Sequence, residues 1–203
     1  MSVYQLKSRF QTILRPLVRF LAARGVTANQ VTLVAAAVSV ALGLFLSLAP
    51  HPLWFLLVPI WFLLRMGLNA IDGMLAREHG QKSLLGAYLN EISDIISDAA
   101  LYLPFALIDQ TGMLPALAVI FLSALTEFAG VLGQAVGASR RYDGPLGKSD
   151  RAALFGALGI FVALGGTFAA WTPWFWAAVA LLLLWTIVNR VRAGIREAQT
   201  STG

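Results

Sequence analysis

The chain has 203 residues, of which 58% are hydrophobic and 12% charged, and its mean hydropathy is +0.74. That composition argues against a soluble globular domain and describes a membrane protein. With no cysteine, disulfide frameworks, thiolate zinc sites and cysteine nucleophiles are excluded. The net charge of +5 is explained by loop bias at an anionic membrane face, and no nucleic-acid partner is inferred from it.

No charged start, short apolar run and small-residue cleavage site open the chain, so no signal peptide is expected. Residues 4–23 place Leu6, Phe10, Leu14, Leu17, Val18 and Leu21 at helical spacing among Lys7, Arg9, Arg15 and Arg19. This pattern predicts an amphipathic helix lying in the membrane interface. Six apolar stretches follow, at 31–48, 53–75, 84–108, 114–136, 152–170 and 174–191. Each approaches the roughly 20 residues of one bilayer crossing. The expected architecture is all-α: an integral membrane domain over 1–203, with an interfacial helix and then six transmembrane helices. No polar stretch between the spans is long enough to form a second core.

Charge alternates along the connections. Lys7, Arg9, Arg15, Arg19 and Arg24 precede the first span, Arg77 and Lys82 follow the second, Arg140, Arg141, Lys148 and Arg151 follow the fourth, and Arg190, Arg192 and Arg196 end the chain. Fourteen of the 15 basic residues thus fall on one side, which the positive-inside rule makes cytoplasmic, with both termini there. A multi-pass protein of a bacterial inner membrane is expected. The exception is Arg65, inside the second span.

Asp72, Glu91, Asp94, Asp98 and Glu127 all fall within or beside predicted spans. A carboxylate at the centre of a membrane helix costs about 2.5 to 3.5 kcal/mol, so the cluster on two consecutive spans calls for a function. Arg65, Asn69, Asp72 and Ala76 form one polar stripe on the second span, and Gly86, Asn90, Asp94 and Asp98 recur every fourth residue on the third. The short connection after Glu78 makes the two spans antiparallel neighbours. Counting about 1.5 Å per residue, Asn69 and Asn90 sit at similar depths, roughly 12 and 10 Å above the connection, and should face one another. Carboxylates with amide carbonyls suit a hard cation such as Mg²⁺ or Mn²⁺. Arg77, Lys82, Ser83 and the backbone of Gly73 suit a phosphate or diphosphate at the cytoplasmic end. A metal beside a phosphate site points to phosphoryl transfer on a membrane substrate.

At these residues the sequence resembles the CDP-alcohol phosphatidyltransferase family. That family's signature runs Asp, two residues, Asp-Gly, two residues, Ala-Arg, eight residues, Gly, three residues, Asp, three residues, Asp. Here the stretch reads Asn69-Ala-Ile-Asp72-Gly73-Met-Leu-Ala76-Arg77, eight residues, then Gly86-Ala-Tyr-Leu-Asn90-Glu-Ile-Ser-Asp94. Every spacing fits, and Asn69 and Asn90 replace the first and third aspartates. The approach to the first span, from Gly25 through Asn29 to Thr32, is also similar to that family's.

The resemblance implies transfer of a substituted phosphate group from a CDP-linked alcohol, such as CDP-diacylglycerol, to an acceptor hydroxyl, with release of CMP. By position it makes Asn69, Asp72, Asn90 and Asp94 the metal set and Asp94 the general base. Asn29, Thr32, Gly73, Ala76, Arg77, Ser83 and Gly86 become contacts to the CDP moiety, and Arg140, Arg141, Lys148 and Arg151 candidates to bind the acceptor. It also implies a homodimer.

With fewer carboxylates, the metal should bind more weakly and a second ion can be lost. Glu91 and Asp98 offer compensating charge. Arg65 is expected to pair with Asp98 and leave Asp94 free; capture of Asp94 instead would blunt the base. Glu127 reads as a buried hydrogen-bond partner. Two other classes remain open, a CDP-lipid binder without catalysis and a cation-coupled transporter, although a transporter would not require the Asp-Gly, Ala-Arg and Gly spacing.

Overall fold

The computed structural model describes residues 3–49, 51–109 and 112–201; the ends of the expected 1–203 domain and the side chains of Leu6 and Lys7 lie outside what it describes. The elements in order are α1 (Val3–Ala23), α2 (Ala28–Leu48), a 3-10 turn (Pro52–Leu56), α3 (Leu57–Glu78), α4 (Leu84–Ile108), α5 (Met113–Ala135), α6 (Lys148–Ala163) and α7 (Thr172–Ser201). No strand occurs among the described residues.

Local chemistry sets the helix starts that later matter. Thr27 caps α2 through a capping box: its hydroxyl accepts from the Gln30 amide at 3.2 Å while the Gln30 side chain accepts from the Thr27 amide at 2.9 Å. Ser83 caps α4 by accepting from the Gly86 amide at 2.9 Å. Gln81, in the connection between α3 and α4, accepts from the Ala28 amide at 2.7 Å and so ties the two capped starts together.

Four helical stretches, Ala28–Leu48, Pro52–Glu78, Met113–Ala135 and Thr172–Thr200, are long and apolar enough to cross a membrane. Helix α4 has the length, but Glu91, Asp94 and Asp98 interrupt its apolar run, and α6 is only 16 residues long. Along the rest of the bundle, lipid-like faces are plain: Leu33, Leu63, Ile92, Phe121 and Leu181 are all exposed.

Consecutive spans are not simply stacked in order. Helix α2 packs against both α3 and α4, α5 against α4 and α7, and α6 against α3 and the 3-10 turn. The two backbones come close at Gly43, where a β-carbon would lie 2.1 Å from the Ala100 carbonyl oxygen; only glycine lets α2 and α4 meet there. By contrast, α3 and α4 do not pack closely along their length among the described residues. The two helices are nonetheless neighbours, joined through Arg65, which reaches Asp94 and Asp98; α2 is wedged against both, and elsewhere their polar faces look across a cleft that Asn69 and Asn90 both border.

Two apolar cores flank that cleft. One joins α1, α2 and α3 through Val18, Val31, Ile71 and Leu75. The other is aromatic, built on Phe55, Phe62, Tyr102, Phe105, Phe155 and Trp176, with Tyr102 stacked on Phe155 at 3.7 Å. Beside the aromatic core, Asp109 accepts from the Gly112 amide, the Thr172 hydroxyl and the Trp176 indole, and thereby pins the start of α7 to the end of α4.

Candidate active site

Three cavities meet at Asn69. The first, of about 450 Å³, is polar and lies at the ends of α2, α3 and α4. Its walls carry Asn29, Thr32, Asn69, Asp72, Gly73, Ala76, Arg77, Lys82, Ser83, Gly86, Asn90 and Glu91. The capped N-termini of α2 and α4 both open onto it, which adds two partial positive ends to the charges of Arg77 and Lys82. Gly86 allows the close approach of its helix to Asn29: a β-carbon there would lie 2.8 Å from Asn29 Oδ1. Asp72 is held by the Thr32 hydroxyl, which donates to its Oδ2 at 2.8 Å. Every residue expected to contact CDP thus borders one space.

A second cavity of about 420 Å³ shares Asn69 and Asn90 with the first and adds Asp94, Glu127, Arg140, Lys148, Asp150 and Arg190. A third, of about 610 Å³, is an apolar groove between α3 and α6 walled by Phe62, Leu63, Met66, Ala153 and Ile160, with Arg65, Asn69 and Lys148 at its polar end.

Between these cavities runs a belt of ion pairs. Arg65 donates to Asp98 at 2.6 Å and to Asp94 at 3.0 Å. Lys148, the first residue of α6, places its ammonium 2.5 Å from the other Asp94 oxygen. Arg151 bridges Asp98 at 3.2 Å and Glu127 at 2.8 Å. Arg140 bridges Glu91 at 2.6 Å and Glu127 at 3.1 Å, and Arg190 completes the ring around Glu127 at 3.5 Å. Arg190 also donates to the Thr126 carbonyl. Most of these side chains are buried, where an unpaired charge would be costly and pairing is required.

This belt revises several sequence expectations. Arg65 does pair with Asp98, but it does not leave Asp94 free: both carboxylate oxygens of Asp94 face cations. Asp98 is taken up by Arg65 and Arg151, while Glu91 pairs with Arg140 and also borders the cavity of Asn69, Asp72 and Asn90. Of the four candidate acceptor cations, Arg140 and Lys148 border the second cavity. Arg151 is 1% exposed and enclosed by its partners, while Arg141 turns to Asp143 and Glu197, so neither faces that space. Arg190, read from sequence only as a charge of the tail, does face it. Glu127 is the buried hydrogen-bond partner expected, shared by three arginines.

The donor chemistry decides what metal these residues suit. Asp72, with the side-chain carbonyls of Asn69 and Asn90 on the same cavity, is an oxygen set appropriate to one hard divalent ion. Asp94 is engaged by Arg65 and Lys148, and among the described residues no three Asp, Glu, His or Cys side chains converge as ligands.

The polar cavity at two helix starts thus carries the aspartate, glycine and arginine of the signature spacing on its walls. The CDP-alcohol phosphatidyltransferase family matches residues 25–190, and the chain belongs to that family. It is 48% identical over 193 residues to the inner membrane protein YnbA of Escherichia coli K12, covering 95% of this chain and 96% of that one. A phosphatidylinositol phosphate synthase of Corynebacterium glutamicum is 34% identical over 92 residues, 45% of this chain and 41% of the relative. Among solved structures, the Mycobacterium tuberculosis phosphatidylinositol phosphate synthase PgsA1 with CDP-DAG bound superposes with a TM-score of 0.72 at 21% identity, covering 90% of this chain and 94% of that one. The same enzyme in complex with manganese and citrate gives a TM-score of 0.69 at 21% identity, covering 88% and 87%. At that identity the likeness is one of fold.

Proposed function

We propose that this protein transfers a phosphatidyl or other substituted phosphate group from a CDP-linked lipid, with CDP-diacylglycerol the best candidate, to an acceptor hydroxyl, releasing CMP within phospholipid synthesis. The observation that carries the reading is the meeting of three cavities at Asn69, one polar with Arg77 and Lys82 on its walls, one lined by ions and one apolar. The first suits the cytidine and diphosphate, with Arg77 and the two helix starts meeting the phosphates. The apolar groove suits an acyl chain entering from the bilayer. The second is left for the acceptor.

A Mg²⁺ or Mn²⁺ ion at Asp72, Asn69 and Asn90 would, when bound, neutralise the diphosphate and ease departure of CMP. Asp94 accepts the acceptor proton: each carboxylate oxygen has two lone pairs, so its pairs with Arg65 and Lys148 leave room for a hydroxyl. Arg65 and Lys148 hold that carboxylate in one orientation.

In this reading all six apolar stretches cross the membrane, with α1 along its surface and both termini and the polar cavity on the cytoplasmic side. The one-sided basic residues support the orientation. The acids of α4 are compatible with a crossing because each of Glu91, Asp94 and Asp98 has a cationic partner. Assembly as a homodimer follows from the family resemblance.

The test is to incubate purified protein with labelled CDP-diacylglycerol, a divalent cation and a membrane extract, and to identify any new lipid together with released CMP. Asp94→Asn should abolish both. One observation favours a second reading: the two cations on Asp94 are also what a CDP-lipid binder without a working base would show. Saturable binding of CDP-diacylglycerol with no CMP released across a wide acceptor panel would establish it.

A further inference from the structure

The second cavity is cationic by sequence and neutral by structure. Its charged walls are Arg140, Lys148 and Arg190 against Asp94, Glu127 and Asp150. Each of the three cations has a carboxylate within 4 Å: Glu91 and Glu127 for Arg140, Asp94 for Lys148, and Glu127 for Arg190. A phosphate entering this space would meet cations whose fields are already cancelled. It would also face the carboxylate of Glu127, which is buried and cannot turn to water.

What the walls retain is mixed hydrogen-bonding capacity. The Nε groups of Arg140 and Arg190, two residues of these walls, are buried donors without a partner. Asn69 and Asn90 each present a donor and an acceptor on the same walls. Donors and acceptors together suit a hydroxyl, which needs both, whereas a phosphate dianion accepts only. Buried groups left unpaired favour a ligand that satisfies them, which is how a polar pocket discriminates strongly.

Resting on the transferase reading above, we propose that the acceptor is an uncharged polyhydroxylated alcohol and not its phosphate ester. The chemistry balances without a further reactant: the acceptor oxygen forms the new bond to phosphorus, the bond from phosphorus to the CMP oxygen breaks, and the hydroxyl proton goes to Asp94. The paired cations hold the site in shape, and the residue that sets the selectivity is Glu127.

The experiment compares matched pairs, glycerol with glycerol 3-phosphate and inositol with inositol phosphate, using purified protein and CDP-diacylglycerol in lipid vesicles. The uncharged member of a pair should give at least about tenfold higher kcat/KM for CMP release, the penalty expected from one mismatched charged contact. Preference for the phosphorylated members overturns the proposal. If no acceptor releases CMP, the transferase reading fails, and the same ligands are scored by thermal shift. Stabilisation by polyols but not by phosphates then keeps the pocket assignment, and the reverse, or no response to either, removes it.

Glu91→Gln, at a partly exposed position, releases Arg140 from one partner. It should raise the affinity for inorganic phosphate by about tenfold. An affinity equal to that of the unsubstituted protein counts against neutralisation as the cause. Retention of the unsubstituted protein's melting temperature shows that the variant is folded.

Discussion

The ammonium of Lys148 stands 2.5 Å from Oδ2 of Asp94, while Arg65 holds Oδ1 from the opposite side at 3.0 Å. A carboxylate from α4 is thus clamped between α3 and α6, two helices that also pack on one another. The clamp locates Asp94 and at the same time competes with any metal for its oxygens.

Removing one jaw should therefore change metal affinity. Lys148→Gln is expected to raise Mn²⁺ affinity by about tenfold, because an opposing charge next to the ligands is lost. Titration followed by electron paramagnetic resonance gives both affinity and stoichiometry. The unsubstituted protein should bind no more than one ion per chain, and Lys148→Gln combined with Asn69→Asp and Asn90→Asp should bind two. Two tight ions in the unsubstituted protein would disprove the clamp's effect.

The belt around Asp98 is structural. Asp98 is 5% exposed and receives Arg65 and Arg151. Asp98→Asn leaves two buried guanidinium groups short of a counter-charge, a change expected to cost about 3 to 5 kcal/mol. Unfolding in detergent micelles should show it. A double-mutant cycle with Arg65→Met should give coupling above about 0.5 kcal/mol, since the two side chains touch.

At the crossing of α2 and α4, Gly43→Ala is expected to be harmful even though alanine is usually the better helix former. The new methyl would strike the Ala100 backbone carbonyl, which cannot turn aside as a side chain could. A loss of about 1 to 3 kcal/mol is expected, the usual cost of overpacking. No change in melting temperature would mean that the helices separate there without penalty.

Far from the cleft, Asp109→Ala removes the acceptor of the Trp176 indole and the Gly112 amide, while the Thr172 hydroxyl keeps the Ala169 carbonyl. Buried donors left unpaired should cost about 1 to 3 kcal/mol. Tryptophan fluorescence should shift as Trp176 loses its bond, with CDP-lipid binding at the opposite end unchanged.

Much of this site was legible because its first wall is local. Asn69, Asp72, Gly73, Ala76 and Arg77 belong to consecutive turns of one helix and Gly86 and Asn90 to the next, so periodicity alone places them on facing stripes. What could not be read was where cations from distant helices land. Arg190, Lys148 and Arg151 carry the same sign and are all expected on one side of the membrane, and sequence spacing cannot distinguish one that lines a cavity from one that neutralises a buried acid. How closely the backbones of α3 and α4 approach is hidden for a similar reason. A short loop fixes that two helices run antiparallel, but the small residues of α2 decided which pair of helices would touch.

Asn69 borders all three cavities, and that single shared position carries a kinetic consequence. A transferase with such a junction has no need to park the lipid phosphate on a side chain, since incoming and departing groups can flank it together. Initial-velocity plots at several fixed concentrations of the second substrate should intersect, and parallel lines would reveal a covalent stop that the geometry makes unnecessary.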